Sequence, residues 1–161
     1  YRCLSLLALQ APVAGELRTI VSAIRVVFEL ARMGDLAAHV AKIARLRFPD
    51  SAVPDSLREN FSRMSEVCLA MIRLANQSLK DRDAVAALRM AEIDHEMDHL
   101  RRDHFGVLLG ENWSGSVEQA IDVALLGRYF ERFADHAVAV ARRVIYIITG
   151  QFPEGEEWPN A

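Results

Sequence analysis

Apolar residues recur at steps of three and four through most of the chain, which is the period of an amphipathic helix and not the alternation of a strand. Over 12–46 the stripe is Leu17, Ile20, Ile24, Val27, Ala31, Asp35 and Ala38. It predicts one long helix with Pro12 in its first turn. Leu57, Phe61, Met64, Cys68, Met71, Ala75 and Leu79 predict a second, opened by a capping box of Ser56 and Glu59. Asp81 or Asp83 caps a third, which runs to about Leu109 with Ala84, Ala87, Ala91, Asp94, Asp98, Phe105 and Leu109 on one stripe. After a loop over 110–115, Ser116 with Gln119 opens a last helix that stops at Gly150. One of its stripes reads Val117, Ala120, Ala124, Gly127, Glu131, Asp135 and Val138. All five prolines fall at boundaries, so the fold class is all-α.

A spaced repeat organises these helices. Residues 30–41 align with 130–141, with Arg32/Arg132, Asp35/Asp135, Ala37/Ala137, Val40/Val140 and Ala41/Ala141 identical. Such a match suggests a duplicated supersecondary unit. The domain reading that follows is 1–48 as the end of a first bundle, 49–54 as a linker, 55–150 as a complete three-helix bundle and 151–161 as a loose tail. Residues 2–9 read as the end of a helix whose beginning is missing, so the chain reads as a fragment of a longer protein. The helix over 12–46 cannot bury its stripe alone, and another segment or another chain is expected to cover it.

Composition narrows the function. Apolar residues make up 52% of the chain, enough for a core, and the net charge of −3 offers no basic face for nucleic acid. Two cysteines, Cys3 and Cys68, are too few for a disulfide framework, so a reducing cytoplasm is expected. No apolar run reaches the roughly 20 residues that span a bilayer.

The acids carry the most specific chemistry. Asp94 and Asp98 are spaced i, i+4, and so are Glu131 and Asp135; each pair therefore shares a helix face. Four carboxylates on facing, small-residue stripes would repel, and a cation such as iron, manganese or magnesium would offset the repulsion. The alternative is a solvated face on which the acids pair with Arg101, Arg102, Arg128 and Arg132. The first copy of the repeat has Ala31 where the second has Glu131. Two other spacings overlap this stretch. His95-Glu96-Met97-Asp98-His99 matches H-E-x-x-H, the metal-dependent hydrolase helix, but no strand is predicted to align a peptide. Glu92-x-x-His95 and Glu96-x-x-His99 match the spacing of di-iron bundles, but both lie on one helix. His39, His104 and His136 have no ligand-like partners by spacing and are read as capping, surface or packing residues. No phosphate loop and no Ser or Cys nucleophile motif is present.

The repeated segment resembles a known family. Arg128-Tyr129-Phe130-Glu131-Arg132-Phe133-Ala134-Asp135-His136-Ala137 and then 144–150, Val-Ile-Tyr-Ile-Ile-Thr-Gly, resemble the closing helix of PhoU-family phosphate-signalling regulators. Residues 7–14, then Glu16-Leu17-Arg18 and Arg32-Met33-Gly34-Asp35-Leu36-Ala37, are similar to the equivalent helix of that family's first bundle. The resemblance implies tandem three-helix bundles, the first incomplete here. It implies a non-enzymatic cytoplasmic regulator, expected as a homodimer, that represses phosphate uptake and the phosphate-starvation response. The partners implied are a phosphate-specific ABC transporter and a sensor histidine kinase, through which alone it would meet the membrane. Family members with metal hold it through E/D-x-x-x-D motifs. Carried over by position, the metal residues are Asp94, Asp98, Glu131 and Asp135, while Asp35 has no acidic partner at position 31. The alternatives are a hydrolase built on His95, Glu96 and His99, and a metal-free helical dimerisation module.

Overall fold

In the computed structural model, which describes residues 1–111 and 113–151, every regular element is helical. The order is α1 (Arg2–Gln10), α2 (Ala14–Arg47), a single 3-10 turn (Asp55–Leu57), α3 (Arg58–Asp81), α4 (Ala84–Leu108) and α5 (Val117–Thr149). The tail expected over 151–161 lies outside the described residues apart from Gln151.

Three helix ends follow from their cap residues. Asp83 accepts from the amides of Val85 and Ala86 at 2.9 and 3.0 Å and starts α4. Ser116 Oγ accepts from Gln119 N at 3.1 Å and starts α5. Gly150 ends α5 with φ 75°, a left-handed conformation that suits glycine. The expected capping box at Ser56 does not form. Ser56 lies inside the 3-10 turn, and α3 begins two residues later with no side-chain cap. Pro12 likewise precedes α2, whose N-cap is Val13.

α3, α4 and α5 pack on one another, and α2 packs along α5 and against α1. The core they share is built from Phe61, Met64, Met71, Met90, Met97, Val123 and Val140. Ala134, Ala137 and Ala141 of α5 are buried as well, and their small side chains let the neighbouring helices come close. Met64, Met71 and Met90 are fully buried, and each such side chain contributes on the order of 1.5–3 kcal/mol. Truncating any one to Ala would cost about 2–5 kcal/mol, because the close-packed surroundings relax only in part.

α2 corrects one expectation. The face it turns to α5 runs Ser22, Val26, Glu29, Met33, Leu36, Val40, Ile43 and Arg47, at alternating steps of four and three. That is a heptad seam. Most of the stripe read from sequence lies off that face: Ala31, Asp35 and Ala38 are exposed and Val27 is 64% exposed, while Ile20 and Ile24 are partly buried. Both faces have helical spacing, so periodicity alone does not distinguish them.

Candidate functional site

α4 and α5 run antiparallel, and the acidic residues lie along the groove between them. The buried face of α4 is Ala86, Ala87, Met90, Met97 and His104. The stripe that carries Asp94 and Asp98 meets that face at Ala87 but diverges from it further along, so Asp94 is half-buried at the groove and Asp98 is exposed. Burial pushes the Asp94 carboxyl above its ordinary range. The charges of Asp98 and Asp135 add to that, and His95 and Arg142 offset it in part.

Glu131 is in a different situation. Its side chain is only 12% exposed, and each of its oxygens meets an arginine: Arg101 Nη1 lies 2.7 Å from Oε1, and Arg128 Nη1 binds Oε2. Asp135 pairs with Arg132 at 3.3 Å, and Asp35 pairs with Arg32 at 3.5 Å. The identical Arg-x-x-Asp of the two repeat copies therefore makes the same i, i+3 ion pair twice. The structure thus places Asp94 in the field of Asp98 and of Asp135, gives Glu131 to two arginines, and leaves Asp35 apart on α2. Among the described residues no group of three or more His, Cys, Asp or Glu side chains converges as a ready-made metal cage. Asp94, Asp98 and Asp135 still have the donor chemistry of a hard-cation site, since a carboxylate in the field of two others gains from a counter-charge.

The H-E-x-x-H residues do not converge. His95 and His99 are exposed, the His99 ring lies 3.4 Å from Arg102, and Glu96 crosses to Arg63 of α3 at 2.6 Å.

Sequence reasoning missed the polar ties of the α2–α5 seam. Arg47 binds the buried Asp122 and also Glu118. These hydrogen-bonded carboxylates hold its guanidinium more firmly protonated than usual. Glu29 meets His136 at 2.6 Å, and His39 lies against the Tyr129 ring at 5.2 Å. A polar residue recurring at heptad positions, as Ser22, Glu29 and Arg47 do, was the available signal. His104 is buried as a packing histidine, between the rings of Phe61 and Phe105.

With that geometry in hand, comparison with known proteins is informative. The family model of the PhoU domain matches residues 1–44 and 61–144. A Mycobacterium leprae protein named phosphate-specific transport system accessory protein PhoU homolog 1 is 49% identical over 156 residues, covering 97% of this chain and 70% of that protein. The Mycobacterium tuberculosis PhoU homolog 2 is 51% identical over 148 residues, covering 92% and 70%. Among solved structures, the phosphate transport system regulatory protein PhoU from Streptococcus pneumoniae superposes with a TM-score of 0.82 at 25% identity. It covers 95% of this chain and 72% of that one.

Proposed function

The chain belongs to the PhoU family, and from that premise we propose that it is a cytoplasmic, non-catalytic negative regulator of phosphate uptake. It acts by contact with a phosphate-specific ABC transporter and a sensor histidine kinase, and it works as a homodimer. The observation that supports this best is the match to phosphate-transport accessory proteins along almost the full chain. No helix among the described residues is long and apolar enough to cross a membrane. The reading includes a first unit over 1–48 and a three-helix second unit over 55–150, joined along the α2–α5 seam. Deleting the gene should derepress phosphate-uptake genes in phosphate-rich medium. Unchanged expression, with no second copy of the gene present, would overturn the repressor role.

A divalent cation such as iron, manganese or magnesium belongs to the same proposal. Asp94, Asp98 and Asp135 are its donors, Asp135 by turning from Arg132, and Glu131 joins them only by leaving Arg101 and Arg128. The cation would offset the mutual repulsion of these carboxylates. A second reading is favoured by those same arginines: their guanidinium groups already neutralise Glu131, and a metal-free module needs no other cation there. Elemental analysis separates the two. Metal in the wild type that is lost in the D94N/D98N/D135N variant supports the site, and metal-free wild-type protein supports the second reading.

A further inference from the structure

His104 is the one fully buried histidine of the described residues, and neither of its ring nitrogens has a hydrogen-bond partner. The ring rests on Gly127 of α5. A Cβ built at Gly127 would lie 2.2 Å from His104 Cε1 and 2.4 Å from Nε2, so this close approach requires a glycine. The Leu100 carbonyl lies near the ring but accepts from Asn60 Nδ2 at 2.9 Å, and neither imidazole nitrogen reaches it with hydrogen-bond geometry. Asn60 Oδ1 and Arg101 Nε are also buried without partners, so α3 and α4 concentrate unsatisfied polar atoms at this level of the bundle.

We propose that the His104–Gly127 contact is a proton-operated release between α4 and α5, closed around a neutral imidazole and opened when the ring takes up a proton. An imidazolium here would be a buried charge whose N–H groups have no acceptor in hydrogen-bond geometry. The charged groups around the ring give it no counter-ion. Arg101, on α4, is a like charge, and on α5 the acid one turn from Gly127, Glu131, is already held by Arg101 and Arg128. α3 presents Asn60 and Phe61, neither charged. Burial and Arg101 accordingly depress the ionisation of His104, and the nearby Leu100 carbonyl offsets this only in part. A base depressed in the fold leaves stability untouched above its unfolded value, near 6.5, and removes it as pH falls below that.

The test is the pH dependence of folding of the whole chain with H104Q and H104L beside it. Between pH 7.5 and 5 the wild type should lose up to about tenfold in its folded-to-unfolded ratio per pH unit below 6.5, beyond any loss seen in the variants. Hydrogen exchange of 100–108 and 123–131 should accelerate over the same range. An NMR titration of the wild-type His104 ring, which needs no variant, should show it taking up its proton below pH 6.5, in step with the faster exchange. Equal pH slopes in wild type and variants would overturn the proposal. So would a ring that titrates without any change in exchange.

Discussion

Arg47 of α2 grips both carboxylate oxygens of Asp122 on α5, with Nε donating to Oδ2 and Nη2 to Oδ1 at 3.2 Å. Asp122 is 5% exposed, so removing the arginine leaves a buried carboxylate with no counter-charge. R47M should lower the melting temperature by roughly 5 °C, and R47M/D122L should recover most of it, because the orphaned charge then goes too. A thermal melt of both variants decides this. No recovery in the double variant would show that the loss comes from packing along the seam.

Gly127 should not tolerate a methyl group. G127A drives a Cβ into the His104 ring, and overpacking of that kind costs about 1–3 kcal/mol. Shortening the opposing side chain should relieve it, so G127A/H104A should lose less than the two single effects added together. Urea unfolding of the four proteins gives the cycle, and strict additivity would refute the contact.

Asp94 is set against folding by its burial and, after that, by the charges of Asp98 and Asp135. Its carboxyl is raised in the folded state, so stability is lost as pH climbs from its unfolded value of about 4 towards its folded one, and the loss persists at neutral pH. In the presence of a chelator, D94N should melt roughly 2 °C higher than wild type at pH 7 and match it near pH 3. A D94N protein that melts lower at pH 7 would contradict the repulsion.

The two thiols should differ sharply. Burial pushes Cys68 up to about 12, whereas Cys3 on α1 is half-exposed. The thiolate is the nucleophile, so a thiol reagent at pH 8 should modify one cysteine per native chain and the second only after denaturation. Two rapid equivalents in the native state would place Cys68 at the surface.

Helix content, two of the side-chain caps and the stop at Gly150 were legible because each depends on residues a turn or less apart. The buried face of α3 was legible too, since Leu57, Phe61, Met64, Cys68, Met71 and Ala75 lie in the core as their stripe predicts, but that of α2 was not, because it depends on distant partners. α2 carries two helically spaced faces, and only contact with α5 selects the one with Val26, Met33 and Val40. The same limit applied to the acids. Spacing put Glu131 and Asp135 on one face, but only the fold shows that Arg101, thirty positions away, reaches Glu131. His104 and Gly127 were each visible, but nothing local joins them.

The seam of α2 also restricts how that helix can move. Glu29 and Arg47 meet different partners on α5, His136 just past its middle and Asp122 in its second turn. A slip by one turn, about 5.4 Å, would separate the Glu29–His136 and Arg47–Asp122 pairs at once. Intermediate offsets would place knobs on ridges instead of in holes. The knobs and the two polar ties together pin α2 to the register seen here, so any move of this helix along α5 would have to be a step and not a slide.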